Sequence, residues 1–137
     1  MVKKANLNYL EDILKLIRLG AKRGKVLLRS KAEIGVNIDS FFIYTLNKKV
    51  VGCASLEVYN FKLAEVRSLV VDYDYHGQGI GRKLVKRCIS VAKRKGILEV
   101  LAVTDQDQFF WKAGFRKSLE NQYPMFLKLR ERGRIEI

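Results

Sequence analysis

Glycines at 77, 79 and 81 alternate through His76-Gly77-Gln78-Gly79-Ile80-Gly81-Arg82, and a helical pattern starts directly after them. Such a turn suits one kind of chemistry. Backbone N–H groups freed at a helix N-terminus converge on an anion, and the helix dipole favours negative charge there. Glycine lets the backbone approach closely, with no Cβ in the way. Arg82 and Lys83 then occupy the first helical turn, where a cation opposes the dipole by about 0.3–1 kcal/mol. No acid follows them until Glu99. A local rule broken in this way points to a site completed by a bound anion. A plain loop ahead of a solvated basic helix face is the other reading. The spacing fits neither the dinucleotide fingerprint, because Arg82 takes the third glycine's place, nor a P-loop, because no Gly-Lys-Ser/Thr follows.

The elements around this turn follow from hydrophobic period. Leu10, Ile13, Leu14, Ile17 and Ala21 recur at helical spacing, with Asn8 as a cap and Gly20 to Gly24 loosening the end. Ser30 opens a second short helix, with Glu33 placed for a capping box. Phe41 to Leu46 and Val50 to Tyr59 read as strands joined at Asn47-Lys48-Lys49. Leu63 to Val71 is a third strand and feeds the glycine turn. The helix after the turn runs to about Lys95, with Leu84, Cys88, Val91 and Ala92 inward. Ile97 to Val103 is another strand, Asp105 to Gly114 holds a short helix, and strands follow near Phe115 and at Met125 to Leu129. Helices, an antiparallel meander and then strand–helix–strand–helix–strand describe a mixed α/β domain. With no linker or repeat, one domain spans residues 1–137.

Composition narrows the partners. The formal charge is +13, from 27 basic and 14 acidic residues, and favours anionic ligands without choosing among them. Cys53 and Cys88 sit in apolar stretches and read as core filler. A single histidine, His76, leaves no zinc cluster of ordinary composition, and no metal is expected. No apolar run approaches the ~18 residues of a membrane span, and the N-terminus lacks a signal-peptide core. The expectation is a cytoplasmic protein with no membrane partner. Trp111 and Phe109 read as core, and Lys93-Arg94-Lys95 as a solvated helix end.

Glu65-Val-Arg-Ser-Leu-Val-Val71 and the glycine turn resemble the core of the GNAT N-acetyltransferase superfamily, with its [R/Q]-x-x-G-x-[G/A] motif after a strand. His76 replaces the usual Arg or Gln, and the glycines stand. A narrower likeness covers most of the chain. Gly24-Lys-Val-Leu-Leu-Arg-Ser30, Val50 to Tyr59, Leu63 to Val71, the glycine turn and Phe109 to Phe115 resemble, in order, the acetyltransferase domain of N-acetylglutamate synthases of arginine biosynthesis. The C-terminal Tyr123-Pro-Met-Phe-Leu-Lys-Leu-Arg-Glu-Arg-Gly133 departs from those enzymes. The resemblance implies a mostly antiparallel twisted sheet with flanking helices and a splayed strand pair. It implies acetyl-CoA as co-substrate, its pyrophosphate on His76 to Arg82 and its pantetheine paired to Leu69, Val70 and Val71. The Val71 N–H would face the thioester oxygen.

Acetyl transfer to an amine needs a base, a held thioester, an oxyanion donor and a leaving thiolate. The resemblance implies Glu65 as base, with Glu57 in reserve; a solvated strand carboxylate is the plainer reading of either. Many superfamily members carry a tyrosine acid where this chain has Phe110, and Tyr123 is the candidate replacement. Arg29 and Arg67 offer planar forks for a substrate carboxylate, or else make structural ion pairs. A lysine at the place of Glu57 and an arginine at that of Ala113, both frequent in long synthases, are missing. The expected reaction is acetylation of a small amine, L-glutamate first. A protein or peptide amine, or a non-catalytic basic module binding nucleic acid, are the alternatives. A homodimer is a candidate assembly.

Overall fold

A computed structural model describes residues 1–130; the last seven residues assigned to the domain, 131–137, lie outside the described residues. Five strands form one sheet in chain order: β1 (Val2–Lys4), β2 (Phe41–Leu46), β3 (Lys49–Val58), β4 (Leu63–Val71) and β5 (Glu99–Leu101). Neighbours are antiparallel except β4 and β5, which run parallel. Four helices flank the sheet: α1 (Leu10–Lys22), α2 (Lys31–Val36), α3 (Ile80–Arg94) and α4 (Asp107–Lys112).

The helices form where period and caps agree. α1 buries Ile13, Leu14, Leu16 and Ile17 on one stripe and exposes charge on the other. Its entry is a 3-10 turn whose cap is Asn6, not Asn8; the Asn6 side chain accepts from the Asn8 N–H at 2.9 Å. Ser30 Oγ accepts from the Glu33 N–H at 3.1 Å and starts α2 as expected. The Glu33 carboxylate goes to Arg29 Nε instead of closing the capping box. α3 buries Leu84, Val85, Cys88 and Ala92 against the opposite sheet face. The sheet thus separates two apolar layers, one under α1 and α2 and one under α3 and α4.

The β2–β3 hairpin turns on two residues. Asn47 (φ 49°) and Lys48 (φ 66°) both adopt left-handed backbone, the geometry whose twist matches that of the strands, and Lys49 already pairs with Leu46. Asparagine tolerates this conformation better than most residues.

Five points of the sequence reading need correction. β1 was not foreseen: three residues with one apolar side chain carry almost no period, and only pairing with β2 makes them a strand. β5 is shorter than Ile97 to Val103, because it pairs only with the first three residues of β4 and then diverges. No strand forms near Phe115, whose N–H closes back onto the Phe110 carbonyl at 3.0 Å. Met125 to Leu129 is not a strand either. These residues carry no strand assignment and are exposed along their whole length. Trp111, read as core, is also exposed, with the Arg116 guanidinium 3.7 Å from its ring centroid; Phe110 is the aromatic that enters the core.

Leu84 is fully buried and Leu127 is 84% exposed. Leu84→Ala should cost about 2–5 kcal/mol in chemical denaturation, and Leu127→Ala less than about 0.5 kcal/mol. A large loss at Leu127 would restore the discarded strand. Cys53 and Cys88 are both buried, and burial pushes each thiol up to about 12. A thiol reagent at neutral pH should leave the native protein unmodified and label both cysteines once denaturant is added.

Candidate active site

The site begins with a break in the sheet. β5 pairs with β4 only from Leu63↔Glu99 to Glu65↔Leu101, so β4 runs on to Val71 with that edge open. The Asp72 N–H bonds back to the Val51 carbonyl on β3 at 2.8 Å. Backbone groups alternate sides along a strand. The N–H and C=O of Val71 therefore face the open edge, and the Val71 carbonyl meets His76 Nε2 there at 2.9 Å.

A bulge sets which side chains share this edge. Ser68 has φ 54°, and the register passes from Ser55↔Arg67 to Cys53↔Val70, so Ala54 opposes two residues. Before the bulge, Ala64 and Val66 pack on the α3 side. After it, Leu69 and Val71 pack there while Val70 crosses to the α1 side. Glu65 and Arg67 then stand on one wall of a cleft of about 1100 Å³, with Leu69, Val71 and the glycine turn further along it.

The turn closes the cleft. Gly77 (φ 80°) and Gly79 (φ 76°) hold conformations that side chains rarely adopt, and a Cβ at either would meet nothing within 4 Å. The first bond of α3 runs from the Lys83 N–H to the Gly79 carbonyl, which leaves the N–H groups of Ile80, Gly81 and Arg82 without intrahelical partners. No side chain caps them, and no acid stands in that turn. Uncapped donors, open space above two glycines and Arg82 fit a diphosphate. All the expected cofactor residues line the cleft except Gln78.

Sequence reasoning missed part of the lining. Arg23 and Lys25, just past the end of α1, line the cleft, as do Tyr73 and Tyr75. Arg23 lies over the Tyr73 ring at 4.6 Å, and Lys25 pairs with Asp105 at 3.3 Å. The basic run Lys22-Arg23-Gly24-Lys25 was the available signal. Phe110 lines the cleft where a tyrosine acid would stand, whereas Tyr123 is exposed and outside the lining.

Glu65 accepts from the Tyr59 hydroxyl at 2.5 Å. Burial first, and then that bond, push the Tyr59 hydroxyl up to about 12, so it remains a donor at neutral pH. Arg67 also lines the cleft, but Arg29 does not. Arg29 is 2% exposed, and its donors reach Glu33, Glu57, Ser55 and Ser68. Glu57, the reserve base, is likewise outside the lining and is held by both arginines.

Known proteins share this architecture. Residues 11–115 match the model of the Acetyltransferase (GNAT) family. An uncharacterized N-acetyltransferase of Chlorobaculum tepidum is 37% identical over 103 residues, 75% of this chain and 66% of that protein. The amino-acid acetyltransferase of Proteus mirabilis is 29% identical over 126 residues, 90% of this chain; the chain spans only 28% of its length. Among solved structures, a Mycobacterium tuberculosis protein in complex with CoA and NLQ superposes with TM-score 0.81 at 27% identity, over 87% of this chain and 73% of that one. N-acetylglutamate synthase from Neisseria gonorrhoeae, complexed with coenzyme A and N-acetyl-glutamate, gives TM-score 0.82 at 25% identity, over 90% of this chain and 30% of that one. Among the described residues no helix is long and apolar enough to cross a membrane. The open strand edge, the uncapped glycine turn and the matching family model lead to one conclusion: the chain belongs to the Acetyltransferase (GNAT) family.

Proposed function

We propose that the chain transfers the acetyl group of acetyl-CoA to the primary amine of a small α-amino acid. The observation that carries this reading is the run of open β4 edge, with Glu65 and Arg67 at one end and the uncapped glycine turn at the other. The CoA diphosphate lies on the N–H groups of Ile80, Gly81 and Arg82, with the Arg82 side chain close by. The pantetheine arm adds along the edge at Leu69 to Val71. The Val71 N–H donates to the oxygen that becomes negative during attack. Glu65, fixed by Tyr59, takes the proton of the attacking amine, directly or through one water. The N–C bond forms, the C–S bond breaks, and CoA departs as thiolate. A thiol pKa near ~8.5 makes that departure possible without an acid, which suits a site with Phe110 in the acid's place.

The acceptor is a finer matter. Arg67 is suited to an α-carboxylate, the one group besides the amine that every amino acid offers. The sequence resemblance names L-glutamate, which would set the reaction in arginine biosynthesis and in the cytoplasm. The names of the amino-acid acetyltransferases and of the gonococcal synthase support the same class. A panel of amino acids, polyamines and peptides, scored by thiol released from acetyl-CoA, tests it. Release with amino acids above the no-acceptor blank is expected. A peptide amine reacting while every amino acid fails would move the assignment to protein acetylation.

Two variants test the parts. Gly81 has an ordinary backbone, so Gly81→Glu adds bulk and negative charge without left-handed strain. Calorimetry should show acetyl-CoA binding lost in a folded Gly81→Glu protein, and retained binding would remove the turn from the cofactor site. Glu65→Gln should keep acetyl-CoA binding and lower kcat by roughly 10²–10⁴-fold. The deficit should narrow as pH rises, because free amine then becomes abundant. Wild-type turnover from Glu65→Gln at neutral pH would place the base elsewhere.

A further inference from the structure

Arg29 and Arg67 form the kind of guanidinium pair that takes a carboxylate, and a carboxylate already lies between them. Glu57 Oε1 is 2.7 Å from Arg29 Nη2 and 3.5 Å from Arg67 Nη1. The other donors of Arg29 reach Glu33 at 3.0 Å, Ser68 Oγ at 3.0 Å and Ser55 Oγ at 3.4 Å. The Glu57 side chain is 13% exposed, and that of Arg67 31%. The grip is therefore real, but its inner half holds the protein's own acid.

We infer that Glu57 stands in for an acceptor's side-chain carboxylate, and that the acceptor is an amino acid with an uncharged side chain, glutamine rather than glutamate. This rests on the amino-acid reading above. The α-carboxylate takes the outward donors of Arg67. A second carboxylate has two places to go, both unfavourable. It displaces Glu57 from Arg67, the guanidinium of the pair that lines the cleft, and leaves that acid facing the incoming one. Otherwise it lies beside Glu57 and Glu65, two like charges opposite each other across β3 and β4. The remaining cations of the cleft are committed: Lys25 to Asp105, Arg23 over Tyr73, and Arg82 in the glycine turn. A neutral amide meets neither obstacle, and its N–H groups can donate to Glu65, the carboxylate of the two that lines the cleft. Discrimination of this sort works by repulsion of the wrong acceptor as much as by attraction of the right one.

Steady-state kinetics at saturating acetyl-CoA decide the matter, with glutamine, glutamate and lysine as acceptors. Wild type should favour glutamine over glutamate by at least about tenfold in kcat/KM, the difference lying in acceptor KM. Glu57→Gln, which keeps the volume and removes the charge, should shift that ratio toward glutamate by about tenfold or more and leave the KM for acetyl-CoA unchanged. An unchanged ratio in a folded Glu57→Gln protein overturns the assignment. If that variant shows no cooperative melt, the wild-type ratio decides alone, and glutamate at or above glutamine overturns it. Lysine exceeding both overturns the uncharged side chain. Failure of every amino acid, with acetyl-CoA still bound, sinks the amino-acid reading and this inference together, and so differs from a failure confined to Glu57.

Discussion

The rest of the structure depends on β5 leaving β4 after Glu65. A strand edge with unpaired N–H and C=O groups is ordinarily a liability, since it invites another chain. Here the edge from Val66 to Val71 is open toward β5, while the other side of the segment pairs with β3 except at the Ser68–Leu69 bulge. It lies at the floor of a cleft whose far wall carries Val103 to Gln106 and Phe109. An extended ligand that presents its own amides can satisfy such groups without a dedicated side chain for each bond. The bulge at Ser68 belongs to the same design. It moves Leu69 and Val71 to the α3 side while Arg67 and Glu65 stay on their own, so residues of both faces line the cleft from one strand.

A second constraint is the buried guanidinium of Arg29. A charge with 2% exposure persists only when its donors are occupied. Two carboxylates and two hydroxyls from α2, β3 and β4 meet it, and its plane lies over the Phe41 ring at 5.2 Å. The network fastens the α1–α2 connection to the centre of the sheet. It also fixes Glu57, and through Glu57 it orients Arg67 at the cleft wall. Of the two arginines for which the sequence posed structural ion pair and substrate grip as competing roles, Arg29 is enclosed in ion pairs and Arg67 lines the cleft.

Much of this was legible in the sequence, because period and turn chemistry are local. β4 has the bounds its apolar pattern foretold, Leu63–Val71, and α3 starts where the glycines end. The uncapped start of α3 follows from the glycines at 77 and 79, which offer no capping side chain. The sequence singled out Glu65 and Arg67 separately, and both line the cleft, two positions apart on one strand. The misread segments carried weak or deceptive patterns. Val2–Lys4 has too few apolar residues to show a period, and Met125 to Leu129 has enough of them to imitate a strand.

By itself the sequence determined the family, the glycine turn and the strand that feeds it, because each rests on contiguous residues whose backbone preferences act over a few positions. Tertiary structure decided where β5 parts from β4, which way Val71 faces, and what Arg29 holds. These depend on register, on one residue's positive φ at Ser68, and on acids that stand 4 and 28 positions from Arg29 in the chain yet meet it within 3.0 Å. Spacing along a chain carries no record of such meetings; packing creates them.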